Sequence, residues 1–282
     1  MLSRFSVISI MTIAIAVTTA SAAVFAADSK VTVRGLAGLE ENGAQRWVNQ
    51  TYDNAVKVVH DTSKTAMALF AGHVNIGQLS AIDFFMSSDL TDAYSANQEH
   101  VIERLVQNMN EKKREFWAQT DVEPANWPGP SVLVAAPAPG RASPRIWRIR
   151  LWGETGTFEE VLTNPGIMLE GSYNEVFGLL YGYHPEVLEG FADALNVKKD
   201  EVWAASQNLK VLRPLDKMNL WTMPIQDAID LAVLLAKLQV QMDRFLPGEP
   251  ACGGPIDVMV LQTSPSHAIL TFPGKTLRHP DL

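Results

Sequence analysis

At 282 residues, with 47% hydrophobic and 19% charged residues, the chain can bury a sizeable core and is too apolar to be disordered. Its net charge of −8 argues against nucleic acid as a main partner, because phosphate binding needs a concentrated basic surface. Cys252 is the one cysteine, which excludes an intramolecular disulfide and fits a reducing compartment.

Residues 11–30 admit two readings. Arg4, the apolar run 5–17 and the small residues around Ala20-Ser21-Ala22 or Val24-Phe25-Ala26 have the pattern of a secretory signal peptide. The run is too short and too rich in Thr and Ala for a membrane span. The same residues also read as two strands, 12–17 and 22–27, around a polar turn at 18–21. Residues 31–33 continue the second strand and 35–45 form a Gly/Glu/Asn loop. Short strands at 55–60 and 65–70 flank a polar turn at 61–64. Helical patterns follow over 76–86 and 97–120, where Val101, Leu105, Met109 and Phe116 recur at helical spacing. Residues 124–130 are a breaker-rich connection.

Residues 131–136 and 145–151 read as a strand pair, 153–156 as a turn and 166–170 as a short strand. Helices are predicted over 173–181 and 185–195, and 198–223 lacks periodicity, as an insertion would. Residues 226–245 form an amphipathic helix with Ile229, Leu231, Ala232, Leu235, Leu238 and Met242 inward. After the Pro/Gly-rich 247–254 come strands at 256–262 and 267–272. This order predicts an α+β fold of two sheets covered by helices on both outer sides.

Several short motifs stand in a fixed order: Thr12-Ile-Ala-Ile-Ala-Val, Ala23-Val-Phe-Ala-Ala-Asp28-Ser-Lys, Ala55-Val-Lys57-Val-Val, Leu69-Phe-Ala71-Gly72, Gly171-Ser172, Asp227-Ala-Ile-Asp-Leu-Ala and Cys252-Gly253-Gly254-Pro-Ile256-Asp257-Val258. Together they resemble a proteasome-type N-terminal-nucleophile hydrolase, the family of proteasome β-subunits and bacterial proteasome-like ring proteases. The resemblance spans residues 12–273, with insertions near 35–50 and 190–222. It implies a four-layer α/β/β/α sandwich with two antiparallel sheets, in which 12–282 form a single domain and 1–11 are a leader or a start placed too far upstream. It further implies Thr12 as nucleophile, Asp28, Lys57 and Ser172 as its catalytic partners, and the Gly72 N–H as oxyanion hole. Glu249, Cys252 and Gly253 would support the site.

A threonine hydroxyl is a weak nucleophile until a base removes its proton. A free α-amine, which titrates at about 7.7–8.0, can serve if the chain begins at Thr12. Lys57 would disfavour protonation of that amine, and Asp28 would hold Lys57 in place. Read singly, the same residues have blander roles: Lys57 as a solvated strand lysine, Gly72 as a turn, Ser172 as a helix cap and Cys252 as a small buried filler. Three features depart from the family pattern. Met11 precedes Thr12 where a glycine is cut, Glu249-Pro-Ala-Cys252 replaces Asp-x-x-Ser, and Ile13 takes the second position.

The expected activity is peptide-bond hydrolysis through an acyl-enzyme by a cytoplasmic homo-oligomeric ring. Peptides or unfolded proteins would be substrates, partner helices would come from 76–120, and an unfoldase or gating partner would serve the ring. No membrane association is expected, and no cofactor or metal, the six histidines being scattered. One alternative is a catalytically degenerate assembly subunit. Another is an exported binding protein from which residues 1–26 are cleaved.

Overall fold

The computed structural model describes residues 7–9, 12–39, 45–72, 74–76, 79–90, 98–118, 129–152, 155–208, 214–263 and 267–272. The chain opens with β1 (Val7–Ser9), β2 (Ile13–Thr18) and β3 (Ala22–Asp28). β2 and β3 are apolar and buried along their whole length, as strands covered on both faces are. Thr19 closes the hairpin, its N–H donating to Ala22 O at 2.8 Å and its Oγ1 accepting from Ala22 N at 3.1 Å.

The chain does not run on from β3 into residues 31–33 as expected. The N–H groups of Ser29 and Lys30 both turn to Gly253 O, at 3.1 and 3.0 Å, which ends β3. A new hairpin follows, β4 (Val31–Leu39) and β5 (Gln45–Tyr52). It joins β1 in a three-stranded sheet of order β1-β4-β5. Residues 35–39, expected as loop, lie within β4, and an irregular register between Leu36 and Gly38 accommodates the glycines.

Next come β6 (Val58–His60) and β7 (Met67–Gly72). The turn between them is held by Asp61, whose Oδ1 accepts from Thr65 N at 2.8 Å and Ala66 N at 2.9 Å. The helix expected over 76–86 is shorter. β8 (Asn75–Ile76) and β9 (Leu79–Ser80) pair first, and α1 (Ala81–Met86) starts where Ser80 caps it by accepting from Asp83 N at 3.2 Å. Then follow α2 (Gln98–Trp117), β10 (Pro130–Ala136), β11 (Arg145–Arg150), β12 (Thr157–Leu162) and β13 (Ile167–Gly171). β12 had no counterpart in the sequence reading. It is a sheet edge, with Arg148 opposite Glu159 and Trp147 opposite Glu160.

The remaining elements are α3 (Asn174–Tyr181), α4 (Pro185–Leu195), α5 (Lys199–Asn208), a 3-10 turn at Leu215–Lys217, α6 (Ile225–Asp243), β14 (Ile256–Gln262) and β15 (Ala268–Phe272). The expected insertion at 198–223 therefore contains a helix. No helix among the described residues is long and apolar enough to cross a membrane.

The fold is mixed α+β, with two five-stranded antiparallel sheets of order β12-β11-β10-β7-β6 and β13-β2-β3-β14-β15. One apolar cluster draws on both, joining Ala14, Ala16 and Phe25 to Leu69, Leu133 and Ile146. A second joins Ile13, Ile15 and Val24 to Val176 of α3 and to Ala232 and Leu235 of α6. A third joins Phe70, Val132 and Ile149 to Phe85 of α1 and Met109 of α2. The phase of α6 differs from expectation. Ala228, Ala232, Leu235, Ala236, Gln239 and Asp243 are buried, while Ile229, Leu231, Leu238 and Met242 are half-buried.

On α2, Lys113 continues the inward row of Ile102, Val106 and Met109 and is itself buried. Its ammonium lies 4.9 Å from the Trp117 ring centre. Burial, and secondarily the charge of Arg114, lowers its pKa from 10.5 to about 8. Between those values the unfolded chain holds a proton that the folded chain has released, so stability attributable to this site rises with pH across the window. Urea melts of wild type and Lys113→Met from pH 7 to pH 10 should therefore show wild type gaining on the variant above about pH 8. A pH-independent difference would contradict the burial of this ammonium.

Candidate active site

The β2–β3 hairpin brings the start of one strand beside the end of the other, with Ala14 opposite Ala27. Thr12 and Asp28 therefore adjoin, both buried. Thr12 Oγ1 donates to Asp28 Oδ1 through a short hydrogen bond. Lys57 precedes β6, and its carbonyl accepts from Phe70 N at 2.9 Å. Its side chain is wholly buried, and Nζ donates to Thr12 Oγ1 at 2.7 Å and to Asp28 Oδ1 at 2.8 Å. The solvated-face reading of Lys57 is thus overturned.

A buried carboxylate and ammonium are costly unless their remaining polar valences are met. Here they are. Asp28 Oδ1 also accepts from Ile13 N at 3.2 Å, and Oδ2 accepts from Gly253 N at 2.8 Å and Lys30 N at 3.3 Å. Gly253 is held in turn by its carbonyl, which takes the N–H groups of Ser29 and Lys30. Lys30 Nζ reaches along the same loop to Pro250 O at 2.6 Å.

Ser172 meets Thr12 through its backbone, its N–H donating to Thr12 O at 2.6 Å. It does not cap α3; Tyr173 occupies that position without a side-chain bond. Gly171 has φ +83°, and a Cβ there would lie 2.0 Å from Thr12 O. Glycine is required by both conformation and space. Gly72 ends β7 at φ +79°, opposite Pro130 of β10, and β7 packs against β2.

The supporting residues divide. Cys252 is buried, and its N–H donates to Asp243 Oδ2 at 2.8 Å. Burial first, then the charges of Asp28 and Asp243, push its thiol far above the usual range, against the opposing charge of Lys57. A thiol so held is not a nucleophile near neutral pH. Glu249 is exposed and accepts from Thr51 Oγ1 at 3.1 Å. The carboxylate beside Cys252 is instead Asp243, which also accepts from Gln239 Nε2 at 2.8 Å; Gln239 Oε1 accepts from Glu175 N at 3.2 Å. Sequence reasoning missed this relay. Its signal was two polar residues, four apart, in the row Ala228, Ala232, Leu235, Ala236.

No protein-family model matches the chain, and no curated protein matches it. Among solved structures it is similar to Anbu from Hyphomicrobium sp. strain MC1, at 14% identity over 94% of this chain and 88% of that one, with a TM-score of 0.43. It is also similar to Anbu from Pseudomonas aeruginosa, described as a helical assembly, at 15% identity over 94% and 88%, with a TM-score of 0.48. These findings correct the resemblance to proteasome β-subunits: the similar structures are of Anbu. At such identities and TM-scores the likeness carries no argument about this chain's activity.

The tight approach of Gly171 to Thr12 is directly testable. Gly171→Ala should lower stability by about 3 kcal/mol or more, combining left-handed strain with a backbone clash. Urea denaturation of the variant measures this, and a wild-type midpoint would show that Thr12 O is not confined there.

Proposed function

We propose that this protein hydrolyses amide bonds of peptides through Thr12 in a chain that begins at that residue. The observation that carries the reading is the contact of Lys57 Nζ with both Thr12 Oγ1 and Asp28 Oδ1, at 2.7 and 2.8 Å, in a buried setting. A hydroxyl touching an ammonium and a carboxylate is polarised where water cannot screen the charges.

In the proposed reaction Thr12 Oγ1 attacks the scissile carbonyl carbon, and its proton passes to the Thr12 α-amine. The Gly72 N–H receives the oxyanion and the Lys57 ammonium stabilises the developing charge. As the C–N bond breaks, the α-ammonium gives its proton to the leaving amine, leaving an ester on Thr12. Water, deprotonated by the same amine, attacks that ester, and as the C–Oγ1 bond breaks the α-ammonium returns the proton to Thr12 Oγ1 and the acid is released. Asp28 acts by keeping Lys57 charged and in place, and Ser172 by holding the Thr12 carbonyl.

The reading includes a four-layer α/β/β/α sandwich over residues 12–282, supported by the three apolar clusters. It also includes a homo-oligomer. Large apolar side chains are exposed at Leu179, Val187, Phe191, Leu195 and Leu234 of α3, α4 and α6, which favours contact there over residues 76–120. Cleavage after Ala26 would remove β2 and most of β3 from the middle of a five-stranded sheet, which weighs against the exported form. A second reading, a subunit without catalysis, is favoured by one observation: in the 282-residue chain the Thr12 nitrogen belongs to the Met11–Thr12 peptide and is no base.

N-terminal sequencing and intact mass of the protein from its own cells separate the two, since the hydrolase should begin at Thr12. In that form Thr12→Ala should abolish release of aminomethylcoumarin from a peptidyl-aminomethylcoumarin library. Lys57→Ala should reduce it by on the order of 1000-fold, as loss of a principal electrostatic group does. Full turnover in Thr12→Ala would remove the nucleophile assignment.

A further inference from the structure

Among the described residues, two polar links join the two five-stranded sheets at the Thr12 end. One is the ion pair of Lys57, just before β6, with Asp28 at the end of β3. The other is formed by Glu170 of β13. Its Oε2 accepts from Ser131 Oγ of β10 at 3.1 Å, and its Oε1 accepts from Arg148 Nη1 of β11 at 2.9 Å. Ser131 and Glu170 are buried. The far side of the Arg148 guanidinium is taken by Glu159 of β12, which accepts from Nε at 2.9 Å.

The strand orders make this arrangement specific. In one sheet β7, ending in Gly72, lies between β6 and β10; in the other β2, starting after Thr12, lies between β3 and β13. The links therefore join the flanking strands on either side, β6 to β3 and β10 to β13, with the strands of the nucleophile and of the oxyanion donor between them. Both arms of the second link sit next to those groups. Glu170 precedes the Gly171-Ser172 turn around Thr12 O. Ser131 pairs with Ala71, and its N–H lies 3.9 Å from where a Gly72 Cβ would be.

We propose that Ser131, Glu170 and Arg148 form a positioning clamp that, opposite Lys57–Asp28, fixes the separation of Thr12 Oγ1 from the Gly72 N–H. This rests on the hydrolase reading above. None of the three takes a proton or touches the scissile bond. They act by holding two sheets in register where a displacement of about 1 Å can cost on the order of 100-fold in rate.

The test is steady-state hydrolysis of the same peptidyl-aminomethylcoumarin library by chains beginning at Thr12. Arg148→Met should lower kcat by about 10- to 100-fold with KM within about twofold, because geometry and not substrate affinity is lost. Ser131→Ala, which leaves the ion pair intact, should lose less, and Arg148→Lys should recover part of the lost kcat. Arg145→Met provides the comparison. Arg145 pairs with Glu160 between the same two strands, β11 and β12, without reaching the other sheet, so its loss should leave kcat within about twofold of wild type.

Wild-type kcat in both Arg148→Met and Ser131→Ala would overturn the clamp while leaving the hydrolase reading standing. So would an equal loss in Arg145→Met, which would mark a general weakening of the sheet. If Arg148→Met does not fold, Ser131→Ala decides alone: a kcat loss at constant KM supports the clamp and unchanged kcat overturns it. A wild-type chain beginning at Thr12 that hydrolyses nothing overturns the hydrolase reading, and the clamp with it.

Discussion

The buried ion pair of Lys57 and Asp28 is the constraint on which the rest of the site depends. Two opposite charges withdrawn from water stay bound only when every remaining polar valence has a partner. The β2–β3 register meets part of that requirement by bringing Ile13 N and Thr12 Oγ1 to one carboxylate oxygen. The 252–254 turn meets another part by bringing Gly253 N to the other. The start of β6 supplies the lysine, pointed inward between two sheets. Removing one partner would leave a buried charge uncompensated, so the pair constrains geometry more than it adds net stability.

The constraint extends outward through α6. A helix packed on a sheet ordinarily buries an apolar stripe, yet the buried row of α6 ends in Gln239 and Asp243. Their bonds run from Glu175 N at the start of α3 to Cys252 N, one residue before the N–H that holds Asp28. A fully connected buried polar network favours one arrangement over near alternatives, because each partial version leaves an unsatisfied group. The half-buried positions of Ile229 and Leu231 follow from it. The helix is rotated to bring Asp243 to the loop.

What could be read beforehand follows the same physics. β2 and β3 were legible because long apolar runs flank a polar turn, and Asp28 because the hairpin register is local. Lys57 was not settled locally, since an alternating strand accepts a lysine on a solvated face equally well; its burial is a property of the second sheet. The β4–β5 hairpin was lost because Gly35 and Gly38 imitate a loop, although an irregular register absorbs them. β12 was lost because the adjacent Glu159 and Glu160 break the alternation of its apolar residues Phe158, Val161 and Leu162, and the partners Arg145 and Arg148 lie in another strand. Charge pairing across strands, invisible in a window, holds that edge.

The same contacts distinguish the two ways in which the N-terminal segment could be shortened. β1 sits at the edge of the three-stranded sheet and pairs with β4 over three residues, Val7–Ser9. Losing it would return an edge to β4 and leave the β4–β5 hairpin and both five-stranded sheets with their pairings intact. β2 and β3 are interior strands buried on both faces, and their loss would expose β13 and β14 while removing Asp28's neighbours Thr12 and Ile13. A strand edge regained costs little, whereas an emptied sheet centre costs the core itself. These pairings weigh against a chain that begins after Ala26 more than against one that begins at Thr12. The proposed hydrolysis requires that start, because only there is the Thr12 nitrogen an amine and not part of a peptide bond.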